Sequence, residues 1–333
     1  MKIGLIIPAS MIISGETSGV VRQAISYQNA LLNRGHNCKF IDHKNGISNY
    51  DFLMIFQHTP EINHLIERIR LKNKFIKIIF MPIYDPDSLP DLRKKFVYRL
   101  PTEKLNYFSS PRIMRLGCDK SERVWVRSKW EKNAILATGT KTPIEIVPLA
   151  IPISINRKLI KVKKDINFIF VGHIDDPRKN IERLITSISK ISNELHVVGK
   201  CSKEKLKKIN NLGLKLGVKI IYYGKISDEE LIKLYARSKV LCLPSLFEGV
   251  GLVALEAACY GAKIAITQIG GAKDYFEENA FYIKEPKRID CIVKVLKLAV
   301  KSSSNHSIFN EEIIKKYSLI NLGLIIEKNL KLI

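Results

Sequence analysis

Pro244-Ser245-Leu246-Phe247-Glu248-Gly249-Val250-Gly251-Leu252-Val253-Ala254-Leu255-Glu256-Ala257 follows a short apolar run, Val240–Leu243, and leads into a segment with helical spacing, Leu252–Tyr260. Strand, glycine-bearing loop and helix, in that order, is how parallel sheets hold ligands at the carboxyl ends of their strands. Glu248 sits in the loop, and Glu256, eight residues on, lies just over one turn into the helix. Gly249 and Gly251 let backbone approach a ligand closely. A helix opening near Leu252 directs free N–H groups and a positive dipole end into that loop, where a diphosphate fits. Like charges keep Glu248 and Glu256 off the diphosphate. As hydrogen-bond acceptors they suit the hydroxyl-bearing ends of a ligand, a sugar for Glu248 and a ribose for Glu256. A nucleotide-diphosphate sugar has that layout. Taken singly, Glu248 is a helix-proximal acid and Glu256 a solvated helix position. With Pro244-Ser245, Gly249 and Gly251 around them they form a site.

Outward from this segment, short apolar runs alternate with helical patterns. Towards the N-terminus lie strand-like Asn167–Gly172, Leu195–Gly199 and Lys219–Tyr223, separated by helix-like Ile181–Ser189, Lys203–Leu212 and Asp228–Arg237. Lys263–Thr267 is the next strand. Before a Pro- and Lys-rich linker, Ile151–Lys164, an earlier series runs Ile3–Ile7, Val20–Arg34, Cys38–Asp42, Phe52–Phe56, Glu61–Lys72, Phe75–Met81, Arg123–Val126, Lys129–Thr138 and Ile144–Val147. Such β/α alternation predicts parallel sheets covered on both faces. The boundaries read as an N-terminal domain over 1–155, a C-terminal domain over 165–315, and an amphipathic terminal helix over 316–333 that packs back toward the first domain. Two halves of similar size would face a central cleft, where ligands of open α/β sheets bind.

Composition narrows the class. The chain has 333 residues, 46% hydrophobic and 26% charged, which excludes a disordered tail protein, a collagen and a coiled coil. No apolar run is long enough to predict a membrane-spanning helix. Met1-Lys2 ahead of Ile3–Ile13 has the outline of a signal peptide, but Pro8 and Ser10 interrupt it and a first strand accounts for the same residues. The formal charge is +23, from 55 basic and 32 acidic residues. It is spread evenly: 25 − 13 = +12 over residues 1–160 and 30 − 19 = +11 over 161–333. Nucleic-acid binders concentrate charge on an arm or a helix, so this pattern argues against one. With 40 Lys against 15 Arg, and 49 Ile, it reflects composition as readily as a binding face. An anionic membrane surface or a phosphorylated substrate remains compatible with the positive field. The six cysteines form no C-x-x-C pair and sit mostly in apolar runs, the pattern of free thiols in a reducing compartment.

The segment Phe168–Glu285 resembles the C-terminal domain of the retaining GT-B glycosyltransferases of family four, the group 1 glycosyl transferases. The matching pieces are Phe170-Val171-Gly172 with Arg178-Lys179-Asn180, Tyr223-Gly224-Lys225-Ile226-Ser227-Asp228, Pro244–Glu256 with its E-x7-E spacing, and Gly270-Gly271. The N-terminal half is similar more loosely, through Ser18-Gly19-Val20, Arg34-Gly35-His36, and Ser128-Lys129-Trp130 ahead of Val147-Pro148. The resemblance implies two Rossmann-like domains, a nucleotide-sugar donor contacted by Gly19, Gly172, Val250, Gly251, Leu252, Glu256 and Ile226, and no required cofactor.

Arg178 and Lys179 follow the first strand of the second series. Fixed cations there would neutralise a diphosphate leaving group as the sugar–phosphate bond breaks. They are also unfavourable at the start of a helix, which weighs against a merely solvated role. Many family members carry an Arg right after the strand-end glycine; here the residue is His173. On the N-terminal side, Gly15 and Gly19 flank a loop lacking the full G-x-G-x-x-G pattern. The family often places a His at a later strand end. Tyr84 stands there in this chain, leaving Asp85 and, after Phe52–Phe56, His58 as polar candidates. Asp85-Pro86-Asp87 also has the outline of a D-x-D cation site, although Pro86 explains it as a turn and the cations already serve the phosphate. The basic stretch Arg93–Trp130 is either a solvated surface or an acceptor- or membrane-facing one.

The expectation is a retaining glycosyltransferase that moves a sugar to a glycan or lipid-linked acceptor in cell-surface polysaccharide synthesis. It would be cytoplasmic, peripheral at the inner face of the membrane, with Glu248, Lys179, Arg178 and Asp85 in catalysis and no metal. A sugar phosphorylase or nucleotide-sugar epimerase on the same architecture, and a basic RNA- or membrane-binding protein, are the alternatives.

Overall fold

A computed structural model of the chain describes residues 1–8, 19–41, 46–47, 50–84, 110–152, 155–302 and 307–333. It divides into two compact units, one of residues 1–152 with 317–333 and one of residues 153–316.

In the first unit six strands form one parallel sheet: β1 (Lys2–Ile6), β2 (Asn37–Phe40), β3 (Phe52–Phe56), β4 (Lys77–Met81), β5 (Arg123–Val126) and β6 (Ile144–Ile146). Their order across the sheet is β2-β1-β3-β4-β5-β6. Central β3, Phe-Leu-Met-Ile-Phe, is buried throughout, because a strand covered on both faces needs an unbroken apolar run. Helices α1 (Gly19–Leu32), α2 (Pro60–Lys72), α3 (Ser110–Asp119) and α4 (Lys129–Leu136) belong to this unit. Thr59 and Ser128 cap α2 and α4 with their hydroxyls, as such residues do at helix starts. The core on one face joins Ile3, Leu5, Tyr27, Leu31 and Trp125 to Leu322 and Ile326, so the terminal helix Leu319–Leu330 packs on α1 of this unit. Arg34 and His36 hold its Glu327 at 2.7 and 2.9 Å.

The second unit repeats the scheme with β7 (Ile166–Val171), β8 (Glu194–Val198), β9 (Lys219–Gly224), β10 (Ser238–Leu243), β11 (Lys263–Thr267) and β12 (Phe281–Ile283). All pairs are parallel and the order is β12-β11-β10-β7-β8-β9. Its helices are α5 (Ile181–Ile188), α6 (Lys203–Leu216), α7 (Asp228–Arg237), α8 (Leu252–Cys259), α9 (Ala272–Phe276), α10 (Ile289–Lys301) and α11 (Ser307–Lys316); the terminal helix is α12. Beyond Thr267 the sequence pattern marks nothing before the terminal helix, yet α9, β12, α10 and α11 all form there. Ser227 and Glu230 close a reciprocal capping box on α7. Half-buried Lys164 donates to Ala236 O, Ser238 O and Tyr260 O at 3.1, 3.0 and 3.0 Å, tying the ends of α7 and α8 to the start of β7. Strand order reverses between β7 and β10. The chain leaves β7 on one side of the sheet and β10 on the other, which opens a crevice at their carboxyl ends.

The doubly wound α/β class expected from the alternation is the class observed. All six cysteines are free, and burial pushes the thiols of Cys38, Cys118, Cys242 and Cys259 up, so they pack as small apolar groups.

Candidate functional site

The crevice at the β7/β10 reversal brings the two motifs together. Lys179 Nζ lies 2.6 Å from Glu248 Oε1, and the Ser245 hydroxyl donates to the same oxygen at 2.6 Å. Among the described residues Oε2 of Glu248 has no protein partner, so one lone-pair edge of a well-held carboxylate is left for a ligand. Backbone fixes Glu248 as well: its N–H donates to Ile269 O at 3.0 Å and its carbonyl accepts from Gly271 N at 3.2 Å. Gly270 lies alongside in a parallel bridge at φ 128°, where a Cβ would stand 1.7 Å from Glu248 O. No side chain fits there, which explains Gly270.

The loop after β7 is stapled to the loop after β10. Asn180, at φ 60° in the left-handed region, donates through Nδ2 to Pro244 O at 2.9 Å and Pro286 O at 2.7 Å. Leu246 N donates to Arg178 O at 2.7 Å. Arg178 forks onto Asp176, with Nη2 2.7 Å and Nε 3.0 Å from Oδ2, and its guanidinium lies 5.1 Å from the Phe247 ring centroid. Burial pushes the Asp176 carboxyl up, but hydrogen bonds from the Arg178 side chain and backbone, with the charges of Arg178 and Lys179, outweigh it and leave it below the usual aspartate value. Arg178 is thus anchored in place rather than trailing in solvent.

Helix α8 opens at the same place. Gly251 is its N-cap at φ 83° and offers no side chain to close the first turn. Backbone bonds from Ala254 N and Leu255 N return to Gly251 O, which leaves the amides of Leu252 and Val253 pointing out of the helix end. Gly172, at the end of β7, lies beside the Lys179 stem; a Cβ there would make ordinary contacts, with Phe170 Cζ at 3.4 Å and Lys179 Cε at 3.6 Å. Ile226 is half-buried beyond β9, and Val250 is buried, so its backbone alone can face a ligand.

Glu256 exposes 0% of its surface, and its Oε2 accepts from the Tyr235 hydroxyl at 3.0 Å. The carboxylate lies against α7 inside the fold. His173 is exposed at the loop edge.

In the first unit, His58 Nδ1 lies 2.7 Å from Pro82 O and its ring meets Tyr84 edge-on, centroids 5.2 Å apart. Two residues with positive φ flank it at the ends of neighbouring strands, Gln57 at 76° and Ile83 at 50°. Among the described residues Gln57 Oε1 is buried with no hydrogen-bond partner. Glu131, read only as part of a helix, proves to be a buried staple. It accepts from Tyr84 N at 2.6 Å and from Arg127 N and Nε at 2.8 and 2.9 Å. Gly19 begins α1 with open space where a Cβ would stand. Asp85, the Asp85-Pro86-Asp87 run, Gly15, and Arg93–Arg99 of the basic stretch lie outside the described residues, while Arg112 lies half-buried in α3. Among the described residues no group of three or more His, Cys, Asp or Glu could hold a metal ion.

A parallel, doubly wound unit with a clamped carboxylate, fixed cations and a bare helix end at its reversal point has the chemistry to hold a phosphorylated, hydroxyl-rich ligand. Residues 153–316 match the family model described as Glycosyl transferases group 1, and this half of the chain belongs to that family. A glycosyltransferase of Methanocaldococcus jannaschii, itself uncharacterized, is 32% identical over 145 residues, covering 41% of this chain and 36% of its own length. An uncharacterized protein in the cps region of Klebsiella pneumoniae is 25% identical over 50% of this chain and 48% of its own. The serotype-specific mannosyltransferase WbdA of Escherichia coli is 38% identical over 26% of this chain and 12% of its own. This chain spans about half the length, or less, of the curated relatives it matches. Sucrose-phosphate synthase from Thermosynechococcus elongatus superposes with a TM-score of 0.77 at 15% identity, over 99% of this chain and 98% of that one. Anabaena HepE, solved in complex with UDP and glucose, gives 0.73 at 13% identity over 100% of both. These two likenesses show the fold, GT-B.

Proposed function

We propose that the chain is a retaining glycosyltransferase that takes a sugar from a nucleotide-diphosphate donor and passes it to a glycan or lipid-linked acceptor of a cell-surface polysaccharide. The observation that carries this reading is the Lys179–Glu248 contact of 2.6 Å beside the uncapped start of α8. A diphosphate at the helix end meets the amides of Leu252 and Val253 and the charges of Lys179 and Arg178. Glu248, with Oε1 held, turns Oε2 to the hydroxyls of the transferred sugar. The acceptor oxygen then attacks the anomeric carbon from the face that the diphosphate leaves. The anomeric C–O bond breaks, the acceptor proton passes to a departing phosphate oxygen, and configuration is retained. Charge grows on the diphosphate as that bond breaks, so cations and N–H dipoles fixed beforehand lower the barrier. Asp85 stays a candidate group near the reacting sugar. No step calls for a metal or organic cofactor.

The relatives' names favour the setting: a mannosyltransferase described as serotype-specific and a protein in a cps region. UDP is the first nucleotide to try, since HepE was solved with it. The chain is expected to work on the cytoplasmic side, at the membrane.

The test pairs binding with turnover. UDP or GDP raises the melting temperature of the wild type, because a ligand bound only by the folded state stabilises it. Glu248→Gln and Lys179→Met each lower transfer by about 10²–10³ while the folded state persists. Transfer at a near-normal rate in both variants would sink the reading. Release of nucleoside diphosphate without an acceptor, or steep salt-dependent RNA binding without nucleotide binding, would point to the epimerase, phosphorylase or RNA-binding alternatives.

A further inference from the structure

The amino ends of the strands in the first unit carry an unusual surface. The turn from α2 into β4 reads Leu71-Lys72-Asn73-Lys74-Phe75-Ile76-Lys77. Phe75 is 93% exposed and Leu71 81%, the two most exposed large apolar side chains among the described residues. Lys72 and Lys74 alternate with them, exposed and without an acidic partner among the described residues. Lys77, exposed at the start of β4, donates to Ile333 O at 3.0 Å, which brings the end of α12, with exposed Lys331 and Leu332, to the same edge.

Acids at this edge are already engaged. Asp51 accepts from the Lys2 backbone N–H at 2.7 Å and keeps its charge, which the neighbouring lysines outnumber. Both oxygens of Glu122 lie 2.6 Å from Arg70 Nη2. Glu145 pairs with Arg123 at 3.3 Å. The remaining field is positive, and two apolar tips stand out of it. Water solvates lysine well but gains nothing from an exposed Phe and Leu on one turn. A bilayer with anionic headgroups satisfies both at once: lysines pair with headgroups while the apolar tips enter the boundary of the acyl chains.

We infer that this edge, centred on Leu71, Lys72, Lys74 and Phe75, docks the protein on an anionic membrane surface. It lies at the opposite end of the sheet from the strands' carboxyl ends, so docking leaves those ends uncovered. The inference does not rest on the donor site, and its readout is separate from transfer.

Co-sedimentation of the full chain with lipid vesicles tests it. The wild type should pellet with vesicles of phosphatidylcholine mixed with phosphatidylglycerol, and not with phosphatidylcholine alone. High salt should release it. Lys72→Glu with Lys74→Glu should weaken binding by about 30-fold or more, taking about fivefold for each lysine lost near the surface. Phe75→Ser should cost about tenfold through lost apolar insertion. Both variants change exposed side chains, so their melting temperatures should match the wild type. Failure of the wild type to bind anionic vesicles, equal binding by all three proteins, or tighter binding of the patch to single-stranded RNA than to vesicles would each overturn the inference.

Discussion

The strand ends of the two sheets are built differently. In the second unit the turns that hold Glu248 are pinned by hydrogen bonds, and among the described residues only the amides at the start of α8 are left open. Asn180 closes on two carbonyls, Leu246 N on Arg178 O, and Gly271 N on both Glu248 O and Gly249 O. The unusual backbone there falls on glycine, at Gly251 and Gly270, and on Asn180, the residue types that tolerate it. In the first unit, unusual backbone falls on Gln57 and Ile83, whose side chains resist it, and among the described residues nothing bonds the buried Gln57 oxygen. One region is rigid and relaxed, as charge stabilisation requires. The other stores strain, which proteins keep where a ligand or a movement needs it.

The largest expected effect follows from the relaxed side. Gly270→Ala would place a Cβ 1.7 Å from Glu248 O, at a φ that alanine avoids. The loop must move, so stability falls by about 3 kcal/mol or more and donor binding falls with it. Urea unfolding gives the first quantity and nucleotide titration the second. Gly199→Ala, with its Cβ 1.8 Å from Gly172 O, should behave alike in stability. If Gly270→Ala is neutral, the second unit is not the tightly fixed frame described above.

Asn180→Ala comes next. It orphans Pro244 O and Pro286 O and puts alanine at φ 60°. About 2–4 kcal/mol is expected from the lost bonds and the strained backbone together. Asn180→Gly separates the two contributions, since glycine keeps the backbone relaxed and loses only the bonds. It should recover about 1 kcal/mol of the loss. Equal cost for both variants would assign the whole effect to the staple.

Much of the second unit is legible in the sequence because its logic is local. Strand, glycines, Glu248 and the helix start fall within a dozen positions, and Arg178-Lys179 follow one strand end. What the residues meet across space is not legible. Asn180 reaches Pro286, and Glu256 turns inward to Tyr235 on the preceding helix. Nothing in E-x7-E spacing says on which side of α8 the second acid lies, since that depends on the packing of α7. Glu131 was hidden for the same reason: an acid in the first turn of a helix reads as dipole compensation, and its bond to Tyr84 N spans 47 residues. Gln57 gives no signal at all, because a backbone angle forced by the neighbouring strand end leaves no mark on residue type.

Gln57 is therefore where the comparison is sharpest. Replacing a strained residue by glycine normally loosens a protein, because the unfolded chain gains freedom worth about 0.5–1 kcal/mol. Here two gains oppose that loss. Glycine accepts φ 76° without the cost of about 1–2 kcal/mol that a residue with a Cβ pays in the left-handed region. It also removes the unbonded Oε1, whose burial without a partner costs about 1–3 kcal/mol. The backbone bond from residue 57 N to Met81 O, 2.8 Å, survives the change. Gln57→Gly should thus raise stability by about 1 kcal/mol, after allowing for side-chain packing lost. If the strain serves function, transfer falls as the urea midpoint rises, with an unchanged slope showing that unfolding exposes the same surface. A lower midpoint would mean that the amide is bonded after all and that the two sets of strand ends are equally relaxed.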